Sequence, residues 1–286
     1  MNKAVVITGV SSGIGEACAK LFVEQGFLVF GSVRNVEDGA RLKGLLGERF
    51  TALTFDIVDA EAVGRAADFV QLKLGGETLF GLVNNAGMTS VGPLMHLPPD
   101  ELLRTLHINT VGALIVTQAF LPMLGAMAAP TKRPGRIINI SSVGGRIVAP
   151  FAASYQASKH AIEALSDGLR RELLIYGIEV VVIEPGSTVT AIWDKSDGSL
   201  ERYRATDFGP AFERFLDLFG RLGRKGYPPR RIAEVVHRAL TVRRPRTRYP
   251  VVPGAFLNWI VPRALPDRWL DIGMARAIGL KRINKD

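Results

Sequence analysis

The stretch that decides the fold is Ala4-Val5-Val6-Ile7-Thr8-Gly9-Val10-Ser11-Ser12-Gly13-Ile14-Gly15. It opens with a continuous apolar run, which is typical of a central parallel strand that is covered on both faces. Three glycines then mark a tight turn, and residues 16–25 carry apolar side chains at helical spacing before Gly26. Strand, glycine turn and helix in this order predict the first unit of a parallel α/β sheet.

The same alternation of strand-like and helical segments continues along the chain. Further strands are predicted at residues 27–33, 50–55, 79–83, 136–140 and 179–183, and helices at residues 60–74, 100–124 and 154–176. Such alternation forms βαβ units, so we predict an α/β fold with a doubly wound (Rossmann) parallel sheet and helices on both faces. In such sheets, ligands bind outside the carboxyl ends of the strands.

The last third of the chain departs from this alternation. Residues 191–227 are charged and rich in aromatic side chains, which favours a helical flap over the substrate site. A helix at residues 228–243, a short strand at 249–252 and a variable tail at 253–286 follow. Because the chain shows no internal repeat and no low-complexity tract, we expect residues 1–286 to form one domain.

Composition and charge narrow the function classes. One cysteine among 286 residues excludes an internal disulfide framework and a multi-cysteine zinc site, and the four histidines lack metal-ligand spacing. The net charge is +9, but the basic residues are not interleaved with an aromatic platform, so we expect no nucleic-acid partner. No signal peptide is evident, and the cysteine usage fits a reducing compartment, so a cytoplasmic location is expected.

Two features leave contact with a membrane open. Residues 105–131 contain no Asp, Glu, Lys or Arg, but they include His107 and Asn109, which favours a buried helix over a membrane span. The apolar tail around Trp259 and Trp269 has arginines nearby and is compatible with peripheral contact to a lipid surface. Packing on the protein is favoured, because prolines interrupt the helical pattern of the tail.

The glycine turn predicts a dinucleotide site. Its glycines let the backbone approach a pyrophosphate, and the N-terminus of the following helix offers free N–H groups. The spacing is G-x-x-x-G-x-G rather than the commoner G-x-G-x-x-G. Arg34 follows the second predicted strand with no acid before it, which favours NADP(H), because an arginine there accommodates a 2′-phosphate. NAD(H) stays open, since Glu37 and Asp38 come slightly later.

Tyr155 and Lys159 are four residues apart on a predicted helix, which puts their Cβ atoms ~5–6 Å apart on one face. A nearby ammonium favours the phenolate and lowers the pKa of a tyrosine. The pair is therefore suited to general acid/base chemistry at an alcohol oxygen. Ser142 follows a predicted strand, and its hydroxyl can hold the substrate oxygen beside the phenol.

Taken together, the motifs resemble those of the short-chain dehydrogenase/reductase family. The resemblance is carried by the glycine turn from Thr8 to Gly15 and by Asn84-Asn85-Ala86-Gly87, Asn109, Ile140-Ser141-Ser142, Tyr155-Gln156-Ala157-Ser158-Lys159 and Pro185-Gly186. These motifs have the family's order and spacing over residues 1 to about 190. The resemblance implies an NAD(P)(H)-dependent enzyme that interconverts an alcohol and a ketone or aldehyde.

The resemblance also implies a role for each matching residue. Tyr155 is expected to be the general acid/base, Lys159 to lower its pKa and bind the nicotinamide ribose, and Ser142 to polarise the substrate oxygen. Asn109 is expected to anchor a water in a proton relay. The expected cofactor contacts are Gly9, Ser11, Ser12, Gly13, Ile14, Gly15, Arg34, Asp56, Ile57, Asn85, Ala86, Gly87, Tyr155, Lys159, Pro185, Gly186, Thr188 and Thr190.

The predicted substrate is a lipophilic alcohol or carbonyl compound. Residues 143–151, Met95 and Trp193 suggest an apolar pocket, and residues 184–196 resemble relatives that act on retinoids or steroids. Two alternatives stay open: a non-catalytic NADP-binding regulator, and a nucleotide-sugar epimerase or dehydratase. The first usually lacks the catalytic tyrosine or lysine, and the second usually needs a longer chain. A homodimer or homotetramer is the expected assembly.

Overall fold

The computed structural model of the protein describes residues 3–126, 133–189 and 199–282. In these residues, seven parallel strands form one sheet with the order β3-β2-β1-β4-β5-β6-β7. They are β1 (Ala4–Ile7), β2 (Leu28–Val33), β3 (Phe50–Thr54), β4 (Gly81–Asn84), β5 (Arg136–Ile140), β6 (Glu179–Pro185) and β7 (Arg248–Val251). The strand order reverses between β1 and β4, which creates a crevice at the carboxyl ends of these two strands.

Helices connect the strands and cover both faces of the sheet. Before β7 lie α1 (Gly13–Glu24), α2 (Val36–Leu46), α3 (Ala60–Leu74), α4 (Pro99–Leu106), α5 (Gly112–Phe120), α6 (Ala153–Glu172), α7 (Ser199–Tyr203), α8 (Gly209–Arg224) and α9 (Pro229–Thr241). After β7 come α10 (Val261–Ala264) and α11 (Asp267–Ile278). This architecture confirms the predicted doubly wound α/β fold.

The apolar run of β1 contributes to two hydrophobic cores. Val5 and Ile7 belong to the core that α1 and α9 cover. Ala4 and Val6 belong to the opposite core, which contains side chains of α3 and α5. All four side chains are buried. Because successive side chains of a strand point to opposite faces, a strand covered on both sides needs apolar residues at every position.

Three local features differ from the sequence prediction. The pattern does not predict α2, in which Gly39 and Gly44 weaken the helical signal. The helix predicted at residues 100–124 is interrupted by a π-helical turn, His107–Val111, and α5 ends at Phe120. The helix predicted at residues 154–176 ends at Glu172 and continues as a tighter 3₁₀ turn.

The described parts of the predicted flap and tail pack together. α8, α11 and the loop before α6 share a hydrophobic cluster in which Phe151, Phe212, Phe215 and Ile278 are buried. Residues 191–198 of the flap and 283–286 of the tail lie outside the described residues, and Trp193 lies there with them. Within the described chain, the helices are too short or too polar to cross a lipid bilayer.

Arg136 attaches the end of α9 to the sheet. Its buried guanidinium donates to the carbonyl oxygens of Ala239 (2.6 Å), Leu240 (2.8 Å) and Val242 (3.1 Å), and it also pairs with Glu179. The last carbonyls of a helix lack partners within the helix, and a cation at this end also interacts favourably with the helix dipole. Arg136 therefore satisfies several buried acceptors at once.

We expect Arg136→Met to lower the free energy of unfolding by about 2–4 kcal/mol, because it leaves these carbonyl oxygens without donors. Arg243→Met, at an exposed arginine just after α9, is the matched control and should change stability by less than about 0.5 kcal/mol. Urea denaturation followed by circular dichroism measures both effects. Equal and small effects would contradict this role of Arg136.

Candidate active site

Hydrogen bonds lock the glycine turn to the loop after β4. The Thr8 hydroxyl oxygen accepts from the backbone N–H groups of Asn85 (2.9 Å) and Ala86 (3.0 Å). In return, the side-chain amide of Asn85 donates to the carbonyl oxygens of Thr8 (2.9 Å) and Gly9 (3.0 Å). Asn85 therefore braces the turn from the neighbouring strand end, at the crevice where a ligand is expected.

Two glycines of the turn are required by close backbone approach. Gly9 has a φ of +69°, and a Cβ atom there would lie 2.8 Å from the Ala86 Cα atom. A Cβ atom on Gly15 would overlap the Gly9 carbonyl oxygen. The N-cap residue Ser12 makes no side-chain capping hydrogen bond to the described residues, so the first N–H groups of α1 suit a pyrophosphate. Four of the predicted cofactor contacts in this turn are exposed or half-buried, namely Ser11, Ser12, Gly13 and Ile14.

Two arginines lie near the adenosine end of the predicted cofactor site. Arg34 directly follows β2 and is exposed. Arg41 of α2 reaches the glycine turn, where its guanidinium donates to the Ser11 carbonyl oxygen (2.7 Å) and pairs with Glu16 (3.2 Å). Sequence reasoning misses Arg41, because the pattern does not predict α2.

The residues after β3 reach the same edge of the sheet. Asp56 is exposed, and one of its carboxylate oxygens accepts from the Val58 N–H group (3.2 Å). Ile57 is buried against Gly112 at the start of α5, where a Cβ atom would lie 2.9 Å from the Ile57 side chain. Of these two predicted cofactor contacts, Asp56 is thus the more accessible.

Ser142, Tyr155 and Lys159 come together at the carboxyl end of β5. The Ser142 hydroxyl oxygen accepts from the Gly144 N–H group (3.0 Å) in a short 3₁₀ turn, and the Ser142 side chain lies beside the Tyr155 phenol. One turn further along α6, the Lys159 ammonium donates to the Ile140 carbonyl oxygen (2.9 Å). It lies 5.6 Å from the centre of the Tyr155 ring. The structure therefore brings these three predicted residues together.

The pKa values of Tyr155 and Lys159 are both shifted from their ordinary values. Burial raises the pKa of Tyr155, and the polar side chain of Ser142 offsets part of this rise. Burial lowers the pKa of Lys159 to about 8, although the negative charge of Glu163 acts in the opposite direction. The net shift of the tyrosine pKa is therefore upward and is caused by burial, and the lowering of this pKa by the ammonium stays a prediction. The ammonium lies over the ring and bonds to the Ile140 carbonyl oxygen rather than to the phenol.

Asn109 lies in the π-helical turn between α4 and α5, a feature that is frequent at functional sites. Its amide nitrogen donates to the Met88 carbonyl oxygen (2.9 Å) and to the Ser158 hydroxyl (2.9 Å). Its amide oxygen accepts from the Met88 N–H group (2.8 Å). A Cβ atom on Gly87 would lie 3.0 Å from this oxygen. Asn109 thus connects the segment after Gly87 to Ser158 of α6, the residue that precedes Lys159.

The segment after β6 also reaches this edge of the sheet. Pro185 ends β6, and the Gly186 N–H group donates to the Val251 carbonyl oxygen of β7 (3.0 Å). Thr188 is buried, and its hydroxyl donates to the Gly186 carbonyl oxygen (3.1 Å). Thr190, the last predicted contact, lies outside the described residues.

An apolar cavity of about 480 Å³ lies beside the loop that joins Ser142 to Tyr155. Met95, Phe151 and Ala153 line it, together with side chains from α11. Phe151 has a φ of 67°, which is rare for a residue with a side chain. Residues held in such conformations cluster at ligand sites. The cavity thus contains Met95 and part of the segment 143–151, which the sequence assigns to an apolar pocket, whereas Ser142, Tyr155 and Lys159 are not among its lining residues.

The order of these site elements along the chain matches a known protein family. The sequence model of the family described as short chain dehydrogenase matches residues 3–200 of this chain, from the start of the first strand to the flap. The chain belongs to the short-chain dehydrogenase family. The matched range contains every predicted site residue of this dehydrogenase.

Relatives and a solved structure agree with this assignment. The dehydrogenase is 39% identical over 266 residues to an NADPH-dependent 3-dehydrocapnine reductase of Ornithobacterium rhinotracheale, covering 93% of this chain and 94% of that protein. It is 33% identical over 287 residues to human retinol dehydrogenase 5, covering 94% of this chain and 87% of that protein. A crystal structure of a short-chain dehydrogenase from Streptomyces avermitilis covers 99% of both chains with a TM-score of 0.77 and 26% identity. The protein is therefore an oxidoreductase that acts on alcohols or their carbonyl counterparts with a nicotinamide cofactor.

Two charged residues behind the site of this dehydrogenase are not found by sequence reasoning. Arg146 follows the Ser142 turn and pairs with Glu163 of α6 (3.1 Å) and with Glu184 of β6 (3.3 Å). Glu163 could have been found from its four-residue spacing to Lys159, because this spacing places both residues on one helix face. Arg146 has no comparable signal, since its partners are distant in sequence.

The buried Lys159 ammonium has a consequence for stability. Its pKa is lowered to about 8 in the folded protein, so the unfolded chain binds more protons above that pH. The contribution of Lys159 to the free energy of unfolding is therefore unfavourable below about pH 8. It becomes less unfavourable as the pH rises towards the ordinary lysine pKa.

We expect Lys159→Met to stabilise the protein near pH 7 and to lose about 2 kcal/mol of this advantage by about pH 9.5. Chemical denaturation at the two pH values measures the difference. Lys73→Met, at an exposed lysine of α3, is the control and should show no such pH dependence. A difference between parent and Lys159→Met that stays constant with pH would contradict the lowered pKa.

Proposed function

We propose that this dehydrogenase interconverts a lipophilic alcohol and the corresponding ketone or aldehyde with NADP(H), and that Tyr155 is its general acid and base. The observation that carries the proposal is the meeting of three side chains at the carboxyl end of β5: Ser142 beside the Tyr155 phenol, and the Lys159 ammonium 5.6 Å from the tyrosine ring. The NADPH dependence in the name of the Ornithobacterium rhinotracheale relative supports the cofactor preference. The apolar cavity supports a lipophilic substrate.

Tyr155 is suited to give a proton to a carbonyl oxygen during reduction. Its raised pKa keeps the phenol protonated at neutral pH, so the donor form is present before the reaction. Ser142 holds the substrate oxygen beside the phenol and can then donate to the phenolate. The Lys159 ammonium stabilises the negative charge that forms on the phenolate. In the oxidation of an alcohol, the same groups act in reverse and Tyr155 is the base.

The residues around the glycine turn fit a phosphorylated dinucleotide. When bound, NADPH supplies the hydride that adds to the carbonyl carbon. Gly9 and Gly15 keep the approach to α1 free of Cβ atoms, and the first N–H groups of α1 would bind the pyrophosphate. Arg34 would bind the 2′-phosphate at the adenosine end, and Lys159 would bind the nicotinamide ribose.

The remaining expectations belong to the same proposal. The enzyme is a cytoplasmic homodimer or homotetramer, and residues 1–286 form one domain. Large apolar side chains on the surface of the tail support contact with a second subunit. Among the described residues of the tail, the exposed ones are Phe256, Leu257, Ile260, Trp269 and Ile272.

Replacing Tyr155 by Phe removes the proton donor and keeps the ring. We expect kcat for NADPH-dependent reduction of a lipophilic ketone to fall by ~10²–10⁴-fold, the usual contribution of general acid catalysis. Binding of NADPH, followed by nicotinamide fluorescence, should change by less than about threefold. Tyr176→Phe, at an exposed tyrosine after α6, is the control and should leave kcat unchanged.

Two outcomes would contradict the proposal. A Tyr155→Phe variant that reduces ketones as fast as the parent would rule out the proton role of Tyr155. A parent protein that binds NADPH but turns over none of a panel of steroids, retinal, aliphatic aldehydes and quinones would favour a non-catalytic regulator.

Arg34 is expected to determine the choice between NADPH and NADH. In Arg34→Asp, a carboxylate repels the 2′-phosphate and accepts from a 2′-hydroxyl, so the ratio of kcat/KM for NADPH to that for NADH should fall by about 100-fold. Arg238→Asp, at an exposed arginine near the end of α9, is the control for the charge change. A parent enzyme that prefers NADH would overturn the cofactor assignment.

A further inference from the structure

A cluster of four charged side chains lies directly behind the Ser142 turn. Arg146 and Arg248 provide two guanidinium groups, and Glu163 and Glu184 provide two carboxylates. The four residues come from the turn after β5, from β7, from α6 and from β6, so the cluster joins four elements. Both carboxylates are almost fully buried, with 5% and 1% of their side-chain surfaces exposed.

Glu163 is the central member of this charged cluster. Its Oε2 atom pairs with Arg146 (3.1 Å) and with Arg248 (2.9 Å). Its Oε1 atom is buried and has no hydrogen-bond partner among the described residues. Leaving a buried carboxylate oxygen without a donor costs free energy. Lys159 lies one helical turn earlier on the same face of α6, so the negative charge of Glu163 acts directly on the ammonium.

The charged cluster also fixes the turn that carries Ser142. Arg146 directly follows this turn, and its guanidinium bridges Glu163 and Glu184. Gly145 permits this contact, because a Cβ atom there would lie 2.7 Å from the Ser141 hydroxyl oxygen and 3.1 Å from the Glu163 Cγ atom. The Ser142 turn is therefore held tightly against α6.

We propose that Glu163 is a positioning residue for the reaction: its negative charge keeps Lys159 in the ammonium form, and its pairing with Arg146 holds Ser142 beside Tyr155. The inference rests on the proposed function of these residues. Its effect on Lys159, however, can be measured without turnover.

The direction of the effect follows from the charges around Lys159. Burial lowers the pKa of Lys159 to about 8, and Glu163 raises it. Without the charge of Glu163, the attraction that favours the ammonium is lost while the positive charges of Arg146 and Arg248 remain, so this pKa falls further. The charged or titratable groups that the structure records around Lys159 and Glu163 include Tyr155 and Asp167 on α6, Arg146 after the turn, Glu184 on β6 and Arg248 on β7. The Ile140 carbonyl of β5 accepts from the Lys159 ammonium.

The test compares three substitutions of one charge each. Glu163→Gln removes the negative charge next to Lys159, and Arg146→Gln removes a positive charge from the cluster. Glu172→Gln, at an exposed glutamate at the end of the same helix, is the matched control. The readout is the titration of Lys159, followed by NMR in protein with ¹³C-labelled lysine side chains and assigned with Lys159→Met.

We expect Glu163→Gln to lower the pKa of Lys159 by about one unit and Arg146→Gln to raise it by about half a unit. Glu172→Gln should leave it unchanged. The high-pH limb of kcat for carbonyl reduction should move in the same directions, because Lys159 is needed as an ammonium. Glu163→Asp, which keeps the charge, should restore most of the parental titration.

The inference is overturned if Glu163→Gln and Arg146→Gln shift the titration in the same direction, or if neither differs from Glu172→Gln. If Glu163→Gln fails to fold, Arg146→Gln and Glu163→Asp decide. The inference is supported if the pKa of Lys159 is raised in Arg146→Gln and parental in Glu163→Asp. It is overturned if this pKa is unchanged in Arg146→Gln. A parent without turnover would refute the proposed function, while the titration would still test the role of Glu163.

Discussion

The ammonium group of Lys159 is buried at the carboxyl end of β5, and the arrangement of the site follows from how this charge is compensated. A buried cation is costly unless hydrogen bonds and opposite charges offset its lost hydration. The Ile140 carbonyl oxygen supplies a hydrogen bond at 2.9 Å, and Glu163 supplies the opposite charge one turn later. These interactions fix α6 against the end of β5. Tyr155, one turn before Lys159, consequently meets the Ser142 side chain.

The other half of the site depends on close backbone approach between β1 and β4, where the strand order reverses. Glycines make this approach possible, and the loop after β4 braces the turn through hydrogen bonds. A buried polar chain connects the two halves. Asn84 of β4 donates to Asn139 of β5 (2.9 Å), which donates to Ser166 of α6 (2.8 Å). The glycine turn and the group formed by Ser142, Tyr155 and Lys159 are therefore held in one frame.

Local features of this arrangement can be predicted from the sequence, whereas long-range ones cannot. The apolar run of β1 predicts a strand covered on both faces, and the spacing of Tyr155 and Lys159 predicts one helix face. In contrast, Arg248 lies 85 residues after Glu163 and contacts it only because β7 adds to the sheet next to β6. The raised pKa of Tyr155 is also missed, because it depends on burial by the folded chain rather than on the spacing of two residues. The helix α2 is missed because glycines weaken its pattern, and its arginine at the glycine turn is missed with it.

The central claim is that Tyr155 supplies the proton when the carbonyl carbon receives a hydride. The most direct test is single-turnover reduction of a lipophilic ketone with NADPH that carries deuterium at both C4 positions, with the alcohol product analysed by mass spectrometry. We expect one deuterium on the carbinol carbon with the parent enzyme. With Tyr155→Phe, we expect the deuterated cofactor to stay bound and unreacted on the same timescale. Deuterium transfer at the parental rate in Tyr155→Phe would contradict this claim.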